Sequence, residues 1–262
     1  MATFKRYLQI WWLMSRNSFM AWLSQRGFAT MILVGKLLGF GFFFAFIYFI
    51  LKGTGTLAGY SINQTIFFFL TFKLVDVIPQ FLFREVYRFR PLIVTGNFDL
   101  ILAKPISPLF RSLMGGADIL DLITIPPLII LVYLVGKSLG PTPVEVFSYL
   151  LLVLNGLLIA TAFHITVLAL GIITLEIDHT AMIYRDLINL GRLPIDIYRE
   201  PLRGILTYLI PVGIMMTLPA KALMGLVSPI GIILSFAMGV IVVLVSIRFW
   251  NFALTKYTSA SS

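Results

Sequence analysis

Residues 146–175 read VFSYLLLVLNGLLIATAFHITVLALGIITL, thirty positions without a Lys, Arg, Asp or Glu. About 20 apolar residues carry a helix across the roughly 30 Å hydrocarbon core of a bilayer. The stretch therefore predicts a membrane-spanning helix, and the chain repeats the theme on both sides of it. Residues 27–51 carry one charge, Lys36 (span 1), and residues 62–83 enclose Lys73 and Asp76 (span 2). Residues 113–136 hold Asp118 and Asp121 in their first half (span 3), and 146–175 is span 4. Downstream, 204–226 is apolar but broken by Pro211 and Pro219, and 229–247 is a further span ahead of a short polar tail, 259–262.

Composition agrees. Of 262 residues, 59% are hydrophobic and 12% charged, and the mean hydropathy is +0.98. A soluble domain carries about 25% charged residues and could not hide this much apolar surface. Cysteine is absent, which excludes disulfides, thiolate nucleophiles and Cys-ligated metals. In a soluble protein a net charge of +9 would suggest nucleic acid; here it marks loops beside anionic lipid, so membrane lipid is expected as a partner and nucleic acid is not. With the N-terminus inside, fifteen Lys and Arg fall on the cytoplasmic side against Lys52, Lys137 and Lys221 outside, which predicts a multi-pass protein with both termini cytoplasmic.

Residues 1–26 interleave charge and aromatics and lack the pattern of a cleavable signal. At 100° per residue Phe4, Leu8, Trp11, Phe19 and Trp22 share one arc, opposite Lys5, Gln9, Arg16 and Asn17, which predicts an amphipathic helix lying in the membrane interface. Sites of enzymatic chemistry are missing. Gly136-Lys137-Ser138 lacks the preceding glycine of a phosphate loop, where Leu131 stands, and no H-E-x-x-H or G-x-S-x-G occurs. His164 and His179 have no partner at metal-ligand spacing, so no metal site is expected, and His164 reads as a residue hydrogen-bonded inside the bundle.

The loop at 84–112 reads REVYRFRPLIVTGNFDLILAKPISPLFRS. Gly96-Asn97 suits a turn before a helix over 98–103, Asp99 suits its first turn, and Pro105 and Pro108 stop it. Two readings stand: an ordinary interfacial helix, or a docking element for a cytosolic partner.

The stretch Thr95 to Pro105, TGNFDLILAKP, resembles the G-x-x-D-x-x-L-x-[KR]-P signature of ABC-2-type permeases, the membrane subunits of ATP-driven exporters. Leu193 to Tyr198, Leu206 to Pro211 and Leu218-Pro219-Ala220 are similar to the viologen-exporter-like bacterial subfamily. The resemblance implies an all-α integral membrane fold in one permease domain over 1–262, with no ATPase domain. It consists of an N-terminal interfacial helix (1–26), six transmembrane helices, a cytoplasmic coupling loop (84–112), and a re-entrant helical pair (200–228) between spans 5 and 6. It further implies two separate ATPase subunits that bind ATP and Mg, and a second permease copy as homodimer or a related permease as heterodimer. Location would be the bacterial inner membrane. Coupling to the ATPase falls on Gly96, Phe98, Asp99, Leu100, Leu102, Lys104 and Pro105.

Hydropathy alone places span 5 at 204–226 and leaves 180–199 as a cytoplasmic amphipathic helix. The resemblance instead makes 180–199 a polar fifth span, with Pro211 and Pro219 in the re-entrant backbone. Arg185, Asn189, Arg192, Asp196 and Arg199 form one helical stripe, which must face protein or water in either case. With Arg199 and Arg203 moved outside, the charge count becomes thirteen against five and does not choose.

A carboxylate within the membrane costs about 2.5–3.5 kcal/mol on insertion scales, so Asp76, Asp118, Asp121 and Glu176 need partners. They are structural, or they join Arg185, Asn189 and Arg192 around a translocation cavity. In the second case acids with ring faces suit cationic amphipathic compounds. The functional expectation is a permease subunit exporting a hydrophobic or cationic amphipathic compound. The alternative is a stand-alone membrane carrier or a membrane-embedded enzyme; no internal repeat supports the first and no nucleophile or metal set the second.

Overall fold

The computed structural model describes residues 2–258; the polar tail 259–262 lies outside the described residues. The chain folds almost wholly into helices, with no strand among the described residues and one isolated β-bridge, Leu57 to Tyr60. Helix α1 runs Ala2–Ser24, α2 Arg26–Thr54, α3 Ile62–Leu82, α4 Phe89–Val94, α5 Phe98–Leu102 and α6 Pro108–Leu113. Then follow α7 Ile119–Ser138, α8 Pro143–Thr174, α9 Ile177–Asn189, α10 Leu202–Leu209, α11 Gly213–Leu223 and α12 Pro229–Lys256. Five of these, α2, α3, α7, α8 and α12, are long and apolar enough to cross a membrane, and α10 and α11 form a pair bent by 79°. In hydrocarbon only intra-helical bonding satisfies the backbone, which is why the long apolar runs take this form.

Local chemistry sets the helix starts. Ser61 with Gln64 and Thr142 with Glu145 form capping boxes at α3 and α8, and Pro143 and Pro229 occupy first turns where a missing N–H costs nothing. Pro108, expected as a stop, instead begins α6 behind the Ser107 cap. Span 3 is shorter than expected at its start: 114–118 is not helical, and Asp118 caps α7 rather than lying within it. Asp118 and Asp121 therefore do not project from one helix face; the Asp118 side chain turns back to its own helix start.

Helix α8 is the hub, packing against α12, α3, α9 and α11. Phe69, Phe72 and Val75 of α3, Ile159 and Leu168 of α8, and Met215 and Met216 of α11 build one apolar core. Helix α2 stands apart, with apolar side chains such as Phe42, Phe46 and Phe49 exposed, as suits a lipid-facing helix. Helix α1 packs on the bundle through Tyr7, Trp11 and Ser15, whereas Phe4 and Leu8, expected on the same arc as Trp11, are exposed.

The segment after α8 differs from the continuous polar helix expected over 180–199. Helix α9 has 13 residues, about 20 Å at 1.5 Å each. The stripe expected to continue to Arg199 is interrupted after Asn189, since Gly191 and Pro194 end the helical run and only Ile195–Ile197 resumes a turn. Even so, 177–197 traverses the bundle. Asp178 lies 3.6 Å from Arg90, at the basic end holding the 84–112 loop. Asp196 accepts from the Tyr60 hydroxyl at 3.0 Å and from Lys221 at 2.8 Å, at the opposite end where α3 begins. A helix lying on one surface cannot make both contacts. The bent pair starts and finishes at that opposite end, since Asp196, Glu200, Arg203 and Lys221 line one shallow pocket. It reaches α8 at Met215, whose carbonyl would lie 2.7 Å from a Cβ on Gly156, so glycine is required there. Gly156 is about 20 Å of helical rise from Pro143. Pro211 separates the two halves and Pro219 sits in the first turns of α11's second part.

Candidate functional site

Two regions carry the sequence-derived candidates. The first is the loop at the basic end. Gly96 takes φ +73°, open to glycine at little cost, and turns the chain from α4 into α5. Phe98 then points inward, fully buried, edge-on to Phe89 at 5.2 Å and Tyr257 at 5.1 Å. Ile101 is buried beside it. Phe98 is thus an anchor within the bundle and does not itself face outward. What faces outward is Leu100, 62% exposed, with Leu102, Lys104 and Pro105. Asp99 lies beside the Tyr257 hydroxyl, whose pKa is pushed up to about 12 by burial and by that carboxylate.

The loop is fastened on both flanks. The Pro105 carbonyl accepts from Arg6 at 3.3 Å, the Ser107 N–H donates to the Tyr7 hydroxyl at 2.9 Å, and Tyr7 meets Phe110 edge-on at 4.6 Å. The Ala117 N–H donates to the Ser15 hydroxyl at 3.2 Å. Arg111 pairs with Glu85 at 2.7 Å and Arg84 with Asp118 at 3.3 Å.

The second region is a cavity of about 540 Å³ between α2, α3, α7 and α9. It gathers Asp76, Asp121, Arg185, Asn189 and Arg192 from the expected set. Asp118 and Glu176 are not part of it. Asp118 is 1% exposed, capping Leu120 at 2.9 Å and paired with Arg84, while Glu176 sits at the surface 2.8 Å from His179. Charges that sequence reasoning left out complete the lining: Lys36 pairs with Asp121, and Lys73 lies 3.9 Å from Asp76. Lys36 had a signal, as the lone charge in an otherwise apolar span. Gln80, which donates to Asp76 at 2.7 Å, and Tyr87 and Tyr184 had none.

The cavity therefore holds four cations and two acids, the reverse of the acidic surface expected from spans 2 and 3. The case for cationic compounds rested on free carboxylates, and both are engaged. Arg192 donates to the Asn189 side chain at 2.9 Å and lies over the Phe43 ring at 5.6 Å.

His164 is buried between α8 neighbours, its Nδ1 2.8 Å from the Ala160 carbonyl and its ring near Phe83, Tyr87 and Tyr184. Tyr87 leads into α4 outside the spans, and burial pushes its hydroxyl up to about 12. Among the described residues no three His, Asp or Glu stand close enough to hold a metal.

Comparison with known proteins gives one finding. A family model described as "ABC-2 family transporter protein" matches residues 37–261, from α2 through α12. It names no subfamily. No curated protein and no solved structure matches.

Proposed function

This chain belongs to the ABC-2 family of transporter proteins, and on that premise we propose that it is the permease subunit of an ATP-driven exporter moving amphipathic compounds across a bacterial inner membrane. The family is one of transport membrane subunits and implies a partner ABC ATPase. In this reading two ATPase subunits bind ATP and Mg on the cytoplasmic side, and two permease copies, identical or related, enclose the route. The basic end of the bundle and both termini face the cytoplasm.

The observation that carries the proposal is the construction of α5. Its inner side, Phe98 and Ile101, is locked into the bundle, while Leu100 and Leu102 stand exposed on a loop that carries five Lys and Arg. A partner pressing on Leu100 moves Phe98 against Phe89 and Trp250, and through the Arg84–Asp118 pair it moves the start of α7. Closure of the ATPase dimer on ATP supplies that push.

The test is Leu100→Asp, which places a charge in the proposed apolar contact without touching the Phe98 anchor. Charge burial at a docking groove should reduce ATPase co-purification and export by about tenfold or more while membrane insertion stays normal. Full substrate-stimulated ATPase activity and full export in that variant would overturn the docking assignment.

A further inference from the structure

The cavity is amphipathic in a specific sense. Its apolar wall comes from Phe40 and Phe43 of α2 and from Leu128 and Leu131 of α7. Its polar wall has a positive excess of two, since Lys36, Lys73, Arg185 and Arg192 face Asp76 and Asp121. The acids are occupied locally: Asp121 by Lys36, and Asp76 by Gln80 and Lys73. The arginines are not. Among the described residues neither Arg185 nor Arg192 has a carboxylate within ion-pair distance; Arg185 lies on α9 and Arg192 three residues past its end, and both line the cavity with Asn189. The Asn189 side chain holds Arg192 by its Nε, which leaves the terminal guanidinium nitrogens available. A guanidinium presents a planar fork of donors that matches the oxygens of a carboxylate or phosphate. Inside a low-dielectric wall an unpaired cation binds an anion far more strongly than in water.

Resting on the transport reading above, we infer that this cavity takes an amphiphile with an anionic head group, a carboxylate, sulfonate or phosphate on an apolar body. The head sits between Arg185 and Arg192, and the body lies along Phe40, Phe43 and Leu128. The volume lies in the ordinary range for small-molecule sites, about 300–1,000 Å³. Two sources supply this chemistry: an anionic lipid of the bilayer, or a free amphiphilic acid.

The experiment uses the full chain in nanodiscs of zwitterionic lipid, with empty nanodiscs as the partition control. Labelled dodecyl phosphate and labelled dodecyltrimethylammonium are titrated in parallel. Dodecyl phosphate should bind saturably and the ammonium should not. The double variant Arg185→Gln/Arg192→Gln should weaken phosphate binding by about tenfold or more, the loss expected for charge-assisted hydrogen bonds. Arg185→Lys/Arg192→Lys keeps the charge without the fork and should bind more tightly than the Gln variant and more weakly than the native chain, which separates loss of the site from loss of the fold. Doping the discs with phosphatidylglycerol assigns the source. Competition with dodecyl phosphate supports the site as a lipid site, and absence of competition supports it as a site for a free acid. Saturable binding of the ammonium in place of the phosphate, or phosphate binding indifferent to both arginines, overturns the inference. Neither result touches ATPase docking at Leu100, which is read separately by co-purification.

Discussion

Asp118 offers the sharpest division between a structural and a transporting carboxylate. Its Oδ1 accepts from the Leu120 N–H at 2.9 Å as the cap of α7, and its Oδ2 lies 3.3 Å from Arg84 Nε. Asp118→Ala removes both. The lost cap costs about 1 kcal/mol. The lost pair costs at most about 1 kcal/mol more, because the Arg84 side chain is 33% exposed and water takes over part of its solvation. Asp118→Asn keeps an oxygen for the cap and loses only the charge, so its cost is about 1 kcal/mol or less. At about 2–4 °C of Tm per kcal/mol for a chain of this size, Ala should lower the midpoint by about 4–8 °C. Asn should lower it by half of that or less. The assay is thermal unfolding in nanodiscs by intrinsic fluorescence, with export measured in cells for the same variants. Both should lower export only in proportion to the folded protein that remains. Normal stability with selective loss of export for one charge class of compound would refute the structural assignment and return Asp118 to the translocation route.

Two further predictions concern topology and the bent pair. Because the chain has no cysteine, single cysteines can be introduced at Lys52, Lys137, Arg199, Arg88 and Lys104. An impermeant thiol reagent added outside should label the first three and spare the last two, and labelling at 199 from the cytoplasmic side instead would reject the traverse of 177–197. Gly156→Ala brings a Cβ to within 2.7 Å of the Met215 carbonyl, a backbone atom that moves only with its helix. Overpacking of this kind costs about 1–3 kcal/mol, so the variant should unfold several degrees earlier and weaken export; an unchanged Tm would mean that α11 does not approach α8 this closely.

Hydropathy made the long helices legible, because a run without charges leaves the backbone few alternatives in lipid. Arg26–Thr54, Ile62–Leu82 and Pro143–Thr174 follow the apolar runs to within a few residues at either end. Ends set by a polar side chain were harder. Asp118 inside an apolar context reads as a buried acid until the N–H it caps is known. The traverse at 177–197 was half legible: the polar stripe marked Arg185, Asn189 and Arg192 as facing one space, but periodicity alone does not show where Gly191 and Pro194 end the helix. Among the loop residues, Gly96 carried a readable backbone requirement. Phe98 did not, since an aromatic on a short helix can point either way, and only Trp250 and Tyr257, about 150 residues downstream, decide it. Charge pairing across the cavity was illegible for the same reason: Lys36 and Asp121 are 85 residues apart.

That separation has a consequence for how the protein is made. Lys36 leaves the ribosome 85 residues ahead of its counter-charge. At about 5–20 residues per second, the interval is about 4–17 s. Throughout it α2 sits in or beside the bilayer with an uncompensated ammonium, worth about 2.5–3.5 kcal/mol against insertion. The apolar remainder of its 29 residues outweighs that penalty, and the amine can reach along its stem toward head groups. Only when α7 arrives does the ammonium meet the carboxylate it pairs with in the folded protein. The pair thereby acts as a late clasp in biogenesis, closing the cavity's wall after both of its helices are already in the membrane.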